Sequence, residues 1–545
     1  MNIQLTNLHR VSAITILFSL LLATTPLRIT GQTLARPFPV KRTENRESWL
    51  QDGKAAIERT KRMLKRKTRA KNVILFVGDG MGVATVSAAR ILEGQRRGES
   101  GEENFLGFEQ LPFVALSKTY SVNQQTSDSA PTMTAMVTGV KTEDSLISVD
   151  QNVVVGDHRT VKGNELTTIL ELAEQRGLST GVVSTARLTH ATPAACYAHS
   201  AERDWESDRD LPQDARDAGV ADIARQLIDF PYGDGLEVAL GGGRSKFLPQ
   251  SANDPEDEGG LGERLDKRDL TEEWRKKHRN SSYVWNKQQF DAVDGKKTKN
   301  LLGLFERSHM EYEHDRSTDK AGEPSLTEMT EKAIDVVSNN KKGYFLMVEA
   351  GRIDHAHHEG NAFRALTDTI ELSNAVKAAL KKVNLDETLV IVTADHSHTL
   401  SFAGYPTRGN NILGLVRSNN ERGEPSDSLK LDLLGLPYTT LNYANGKGYT
   451  GPSNQPAGAK FFPHSGTGFK PVQNGRPDLR QADTTNPNFM QEAVYPLLSE
   501  THAGEDVAIY ADGAGAQLIH GVMEQNWIFH VMAEALSITA LAKPN

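Results

Sequence analysis

Short, continuous apolar runs recur along this chain from residue 72 onward, and stretches with helical spacing of apolar positions separate them. The runs lie at residues 73–77, 181–184, 238–240, 344–348, 389–393 and 507–510. Continuous rather than alternating apolar runs are typical of strands that are buried on both faces. The pattern therefore predicts an α/β fold with a largely parallel central sheet flanked by helices, in which functional sites gather beyond the carboxyl ends of the strands.

Two stretches interrupt this rhythm. Residues 249–277 are acidic, then basic, and poor in apolar side chains, whereas residues 405–500 are rich in Gly, Pro and Asn. Such stretches within one domain are typical of surface insertions. We expect one domain over residues 72–545, with both stretches as insertions and the second forming a small crown-like subdomain.

The N-terminus carries an apolar run of thirteen residues, 11–23, behind His9 and Arg10. The run is short for a membrane span and suits the apolar centre of a signal peptide. We expect residues 1–31 to be that signal, with an approximate cleavage point, and the protein to be secreted or periplasmic without a stable membrane anchor. A retained anchor is the alternative. The single cysteine, Cys196, excludes an intrachain disulfide.

Residues 32–71 form an N-terminal extension that includes an amphipathic helix at 47–67, with Trp49, Leu50 and Ile57 among its apolar positions. An apolar face that needs a partner predicts a homodimer. The extension ends in a basic segment, but no aromatic side chains interleave the charges, and the chain has a net charge of −8. A solvated helix face is therefore favoured, and nucleic acid is not an expected partner.

Three of the apolar runs end in groups of metal-binding side chains. The run at 73–77 leads into Gly78-Asp79-Gly80, and the run at 389–393 leads into Asp395-His396-Ser397-His398. The run at 344–348 is followed by six ionisable groups: Glu349, Asp354, His355, His357, His358 and Glu359. On a helix, Asp354 and His358 share one face and can bind one divalent ion. Alone, such a segment is more often a solvated loop; three together favour a metal centre.

Ser129 opens a further segment of interest, Ser127-Asp-Ser-Ala-Pro131 before a run of small residues. The simplest interpretation is a serine at a helix N-terminus. The functional interpretation makes Ser129 a nucleophile, because the positive end of a helix favours an ionised hydroxyl and a bound zinc ion would lower its pKa further.

Together these segments resemble the metal-dependent alkaline phosphatases over residues 72–535. The resemblance rests on Gly78-Asp-Gly-Met-Gly82, Asp128-Ser-Ala130, Ala191-Thr-Pro-Ala194, Val348-Glu-Ala-Gly-Arg-Ile-Asp354, His358-Glu, Thr393-Ala-Asp-His-Ser-His398 and Thr501-His-Ala-Gly-Glu-Asp506. His190 and His355, which the resemblance places near the ligands, match the animal enzymes. The absent cysteine pairs and a long segment between His396 and His502 depart from them.

The resemblance implies hydrolysis of small phosphate monoesters through a phosphoserine at Ser129, with Arg203 binding the phosphoryl oxygens. It implies two zinc ions and one magnesium ion. The first zinc site would be Asp354, His358 and His502. The second would be Asp79, Asp395 and His396 with Ser129, and the magnesium site would be Asp79, Thr192 and Glu349.

The resemblance also implies a fourth site, for calcium, away from the catalytic centre. Its ligands would be Glu256, the carbonyl of Phe305, Glu306 and Glu323. Glu323 stands where an aspartate is expected, which the loose coordination of calcium tolerates. Solvated surface acids are the alternative.

Three other functions remain open at this point. A sulfatase of the same superfamily is disfavoured, because an arginine of its nucleophile motif is missing after Ser129. A superfamily phosphodiesterase would need both zinc sites but not Thr192 and Glu349. A secreted metal-binding protein without activity would leave Ser129 and Arg203 without a purpose.

Overall fold

The structure is a computed structural model, and it describes residues 45–63, 69–278, 280–472 and 475–538. The predicted signal peptide and most of the predicted extension before residue 45 lie outside these residues. In the described part of the chain, no helix is both long and apolar enough to cross a membrane.

The described strands, β1 to β19 in chain order, are Asn72–Gly78, Phe113–Lys118, Ser179–Arg187, Val238–Gly242, Ser281–Val284, Asn300–Leu304, Tyr344–Ala350, Thr388–Ala394, Ser397–His398, Leu400–Phe402, Arg417–Asn419, Pro425–Leu429, Leu441–Asn445, Lys460–Phe461, Phe489–Met490, Ala493–Tyr495, His502–Ala503, Val507–Gly513 and Val522–Glu524.

The described α-helices, α1 to α14 in chain order, are Arg46–Met63, Val83–Arg96, Ser129–Thr138, Ile169–Gln175, Ala191–Ala194, Gln213–Asp217, Ile223–Ile228, Arg244–Phe247, Leu270–Lys277, Lys287–Ala292, Leu326–Val337, Arg352–His358, Ala362–Lys382 and Trp527–Ala535. Short 3₁₀ helices lie at Gly107–Gln110, His158–Thr160, Arg316–Thr318 and Ala516–Leu518.

Ten strands form the central sheet, in the order β19-β2-β18-β8-β1-β7-β3-β4-β6-β5. Every neighbouring pair is parallel except those made by β18, which runs antiparallel to β2 and β8. The predicted α/β fold with a largely parallel sheet is therefore confirmed, and each predicted apolar run lies within one of its strands.

Helices cover both faces of this sheet, which explains why its strands are apolar throughout. In β1, Val73, Leu75 and Val77 contribute to the core on one face, whereas Ile74 and Phe76 contribute to the core on the other. All five side chains are fully buried. Helices α2, α11 and α13 pack together over the second face. This packing holds the central strands rigidly in register, so the loops at their carboxyl ends have a fixed base.

Helix α1 packs against its own chain. Trp49 is fully buried and Ile57 nearly so, and the Trp49 carbonyl accepts a hydrogen bond from Asn526 Nδ2 (3.3 Å). Gly53 faces the ring of His530 on α14 so closely that any side chain there would overlap it. The predicted amphipathic helix is therefore present, but these apolar side chains do not need a second copy of the chain to bury them.

The two predicted insertions differ in how they are anchored. In residues 249–277, α9 buries Leu270 and Trp274 completely, so the end of this stretch belongs to the core. Residues 405–500 carry β11 to β16, all of them outside the central sheet. This second stretch also exposes several large apolar side chains, among them Tyr405, Leu433, Leu434, Val494 and Leu498.

Candidate active site

The carboxyl ends of β8, β1, β7 and β3 are neighbours in the sheet, and the predicted ligands lie there. Gly78, the last residue of β1, is level with Ala394 of β8 and with Ala350 of β7. Asp79 and Asp395 therefore leave the sheet side by side. The Gly80 N–H donates to Asp395 Oδ1 (3.0 Å) and fixes this arrangement.

Asp79, Asp395, His396 and Ser129 form the first close group of ligand atoms. His396 Nε2 lies 3.4 Å from Asp79 Oδ1, 3.3 Å from Asp395 Oδ2 and 3.2 Å from Ser129 Oγ. Ser129 Oγ lies 3.4 Å from Asp79 Oδ1. Ligand atoms bound tetrahedrally to zinc at 2.0–2.1 Å lie about 3.3–3.4 Å apart. The four side chains therefore fit one tetrahedral zinc ion.

Asp354, His358 and His502 form a second group. Asp354 and His358 are one turn apart on α12, and His502 lies on β17. Both His358 Nε2 and His502 Nε2 lie 3.3 Å from Asp354 Oδ1, and they lie 3.1 Å from each other. These three distances fit three ligands of one tetrahedral zinc site.

Asp79, Thr192 and Glu349 form an oxygen-rich group. The buried atoms Asp79 Oδ2, Thr192 Oγ1 and Glu349 Oε1 have no hydrogen-bond partner among the described residues. The Oδ1 atom of Asp79 faces the first group, so its carboxylate can bridge two ions. Unpaired buried oxygens are costly, and an all-oxygen set suits magnesium.

The electrostatics of these acidic groups also call for cations. Burial, together with the nearby carboxylates of Asp395 and Asp354, raises the pKa of Asp79 well above its ordinary value. Burial likewise raises the pKa of Glu349, to about 7. Divalent cations reverse such shifts by favouring the ionised carboxylates. The donor set therefore fits two zinc ions and a magnesium ion.

Ser129 and Arg203 meet at the start of α3. Ser129 is the first residue of this helix, and it is 2% exposed. Arg203 forms an ion pair with Asp128, the residue just before it. Burial alone raises the pKa of Asp128, but the Arg203 guanidinium lowers it below its ordinary value, so the pair stays ionised. The guanidinium is thus held at the residue that precedes the serine.

His190 and His355, predicted to lie near the ligands, pack against each other with ring centres 5.4 Å apart. His309, which the sequence analysis did not predict, packs against both. Burial lowers the pKa of all three rings well below the ordinary histidine value.

His398 and Glu500 also belong to the site. The sequence motifs include His398 but assign it no role, and Glu500 was not predicted. His398 Nε2 lies 2.7 Å from Asp354 Oδ1, and His398 Nδ1 lies 2.5 Å from Glu500 Oε2. Burial lowers the pKa of His398, but Glu500 and Asp354 more than offset this and raise it to about 10. The pair orients Asp354. Their position in the sequence could have indicated this role, because His398 and Glu500 each lie two residues from a predicted ligand.

The four groups predicted for calcium also come together, away from this centre. Arg244 donates to the Phe305 carbonyl (3.0 Å) and to Glu256 Oε2 (2.9 Å). Burial and neighbouring carboxylates raise the pKa of Glu306 to about 8 and that of Glu323 to about 9. Asp319, which was not predicted, contributes to both shifts.

These features define a metal-dependent α/β hydrolase centre with a serine at its focus, and comparisons with known proteins agree. The sequence model of the alkaline phosphatase family matches residues 70–538. The chain is 41% identical to the rat tissue-nonspecific alkaline phosphatase isozyme over 94% of this chain and 92% of that protein. It is 43% identical to an alkaline phosphatase of the cod Gadus morhua, over 87% and 93% respectively.

Among solved structures, the Thermus thermophilus alkaline phosphatase has a TM-score of 0.61 at 24% identity, covering 87% of this chain and 92% of that one. The alkaline phosphatase of the Antarctic bacterium TAB5 has a TM-score of 0.55 at 20% identity, covering 87% of this chain and 100% of that one. These likenesses support the fold. The family match and the identity to curated relatives show that the chain belongs to the alkaline phosphatase family, a family of metal-dependent phosphoric monoester hydrolases.

Proposed function

We propose that this protein hydrolyses phosphate monoesters through a covalent phosphoserine at Ser129, with two zinc ions and one magnesium ion as cofactors. The observation that carries the proposal is the position of Ser129 Oγ. It lies at the N-terminus of α3 and within 3.4 Å of both His396 Nε2 and Asp79 Oδ1. A hydroxyl in this position is easily ionised and faces an anion-binding helix end.

Each residue then has a defined task. Ser129 Oγ attacks phosphorus in line with the leaving alcohol, whose oxygen departs and takes up a proton. Arg203 holds two non-bridging oxygens of the phosphoryl group through its planar fork. Water then attacks the phosphoserine from the opposite side and releases phosphate, so the two displacements give net retention at phosphorus. When bound, the metal ions supply positive charge for the attacking and leaving oxygens.

The test is an assay of the metal-loaded protein with p-nitrophenyl phosphate, combined with labelling by radioactive phosphate. We expect turnover and a label on Ser129. Bis-p-nitrophenyl phosphate and p-nitrophenyl sulfate serve as controls for the phosphodiesterase and sulfatase alternatives. The three buried oxygens of Asp79, Thr192 and Glu349 favour the monoesterase, so either control reacting as fast as the monoester would contradict the proposal.

Arg203→Lys should raise KM and the inhibition constant of phosphate about 10-fold or more, because a lysine cannot bind two oxygens at once. The melting temperature should stay close to that of the wild type. Steady-state kinetics and thermal unfolding check both expectations. Arg209→Lys, an exposed position in the same segment, is the matched control. A collapse of the melting temperature in Arg203→Lys would make the residue structural.

For calcium, we propose a site formed by Glu256, the Phe305 carbonyl, Glu306 and Glu323. Glu323 Oε2 is buried without a hydrogen-bond partner among the described residues. Burial, together with repulsion from neighbouring carboxylates, raises the pKa values of Glu306 and Glu323, and a bound cation would favour their ionised forms.

Calcium should therefore raise the melting temperature of protein already saturated with zinc and magnesium, by a few degrees. The gain should vanish in Glu306→Ala and persist in Glu258→Ala, an exposed acid of the same acidic segment as Glu256. Calorimetric unfolding scans measure it. Equal gains in both variants would refute the site.

We further propose that the protein forms a homodimer. The interface would be formed by the insertion at residues 405–500 and not by α1. Arg476 pairs with both Asp432 (3.0 Å) and Glu492 (3.0 Å). Arg476 thereby connects the segment that carries the exposed Leu434 with the segment that carries the exposed Val494. Exposed apolar surface of this kind favours association of two chains.

Light scattering on the purified protein should give twice the chain mass, and Leu434→Asp should shift the mass towards a monomer. Leu261→Asp, at an exposed leucine outside this insertion, should stay dimeric. Removal of residues 1–68 tests α1, whose loss should leave the dimer intact. A monomeric wild type would reject the proposal.

A further inference from the structure

Three arginines and three histidines form a cluster that reaches Asp128, the residue before Ser129, through Arg203, and each histidine lies against one guanidinium. Arg203 Nη2 lies 3.0 Å from His190 Nε2, Arg187 Nη1 lies 2.5 Å from His309 Nε2, and Arg352 Nη1 lies 3.1 Å from His355 Nδ1. The three imidazole rings pack with centres 4.1–5.4 Å apart. All six side chains are partly exposed. Solvent therefore reaches this Arg–His cluster.

The three guanidinium groups differ in their counter-charges. Arg203 pairs with Asp128, and Arg187 pairs with Glu206 (2.6 Å). Among the described residues, no carboxylate lies within 4.0 Å of the Arg352 guanidinium. The buried Nε of Arg352 also has no hydrogen-bond partner among the described residues. The guanidinium lies over the ring of Tyr312, with its Cζ atom 3.7 Å from the ring centre. Arg352 is therefore a cation without an ion pair within 4.0 Å among the described residues, although its guanidinium partly offsets the burial that raises the pKa of the Asp368 carboxyl.

The nitrogen atoms of the three histidines are close enough to suggest a metal site. The neighbouring guanidinium groups argue against one, because they place three positive charges next to the position a metal ion would occupy. The same charges suit an anion, since guanidinium binds phosphate or carboxylate oxygens through paired hydrogen bonds.

We propose that the Arg–His cluster binds a second phosphate group of the substrate, and that the enzyme prefers bisphosphates over comparable monophosphates. This inference rests on the proposed phosphomonoesterase function. One end of the cluster, Arg203, holds the reacting phosphoryl group. The other end, Arg352, is connected to it through His190 and His355, so the second phosphate must lie several bonds away from the first.

The chemistry of the reaction is unchanged by this second phosphate. Ser129 Oγ loses its proton and forms a bond to the first phosphorus, the bond from that phosphorus to the alcohol oxygen breaks, and the alcohol oxygen takes up a proton, so that no net proton is released. Water then hydrolyses the phosphoserine. The second phosphate stays attached to the departing alcohol and only helps to bind and orient it.

Substrates that differ only in the second phosphate test the inference. Butyl phosphate is compared with butane-1,4-diol bisphosphate, with phosphate release measured at saturating zinc and magnesium. Because either of its two equivalent phosphates can react, the bisphosphate has a kcat/KM twice that of the monoester even without a second binding site. The expected ratio is about 10 or more, because a hydrogen bond to a charged group contributes roughly 1.5–3 kcal/mol, which corresponds to about 10-fold or more in affinity. The propane and hexane analogues locate the best spacing.

Arg352→Gln should lower that ratio towards 2, and Arg352→Lys should restore part of it by returning the charge. Arg96→Gln is the matched control. Arg96 also lies over an aromatic ring, Phe363 (5.3 Å), and donates to Thr367 without an ion pair among the described residues. It should leave the ratio unchanged. Because the ratio compares two substrates on one variant, a general loss of activity or of metal cancels from it.

The outcomes separate the inference from the function on which it rests. A wild-type ratio near 2, or equal ratios in wild type and Arg352→Gln, would overturn the anion subsite while the phosphatase function stands. Failure of the metal-loaded wild type to release phosphate from either compound would overturn both.

Discussion

Replacing Ser129 with alanine should lower kcat for p-nitrophenyl phosphate by about 10³-fold or more and abolish labelling by phosphate. The variant loses the only atom that forms the covalent intermediate, and water cannot take its place at the N-terminus of α3 with the same orientation. The fold should persist, because the hydroxyl makes only long contacts to His396 and Asp79. Stopped-flow and steady-state kinetics measure the loss.

Ser127→Ala is the matched control for this experiment. Ser127 is equally buried, and its hydroxyl donates to the Asp128 carbonyl (3.3 Å). Its backbone carbonyl, which lies 2.8 Å from His502 Nδ1, is unaffected by the change. Activity in Ser127→Ala should remain within about 3-fold of the wild type. A Ser129→Ala enzyme with more than a tenth of the wild-type rate would exclude a phosphoserine mechanism.

Removal of the metal ions should abolish turnover and lower the melting temperature on the order of 10 °C. Four acidic side chains are buried at the carboxyl ends of the central strands: Asp79, Asp395, Asp354 and Glu349. Without cations their negative charges repel one another. Tightly bound ions stabilise the folded chain because the unfolded chain lacks the site. Chelation followed by gel filtration, activity assay and thermal unfolding checks the expectation.

Reconstitution separates the roles of the metals. Zinc with magnesium should restore activity, whereas magnesium alone should not. His358→Gln should contain one zinc ion fewer per chain by elemental analysis. His464→Gln, at a buried histidine of the insertion, should retain the full complement. Full activity in chelated protein shown to be free of zinc would contradict the assigned centre.

Hydropathy predicted the centre of the sheet but not its edges. The runs at 73–77, 344–348 and 389–393 are apolar because helices cover both of their faces. Strand β2 begins with a short continuous apolar run, residues 113–116, that was not among the runs selected. In the structure its Val114 and Leu116 are exposed, whereas Ala115 and Ser117 are buried. Nor can an apolar run reveal strand direction, so the antiparallel course of β18 followed only from the hydrogen-bonded register.

For the site, local spacing predicted that Asp354 and His358 share one face of a helix, which α12 provides. The other ligand assignments came from motif resemblance, and the structure brings those residues together. Glu500 and His398 are 102 positions apart, and His309 meets His190 and His355 only through the fold. No periodicity in the sequence links such residues. Their proximity becomes visible only in the folded structure, where the loops at the carboxyl ends of the strands come together.

The position of the ligands along the chain also dictates the order in which the centre can form during synthesis. The oxygen-rich group is complete once Glu349 has been made, and the group around Ser129 once His396 has been made. The third proposed group, which includes Asp354 and His358, is complete only once His502 has been made. A growing chain that ends before His502 lacks one of the proposed ligands, so it can hold only part of the proposed set of ions.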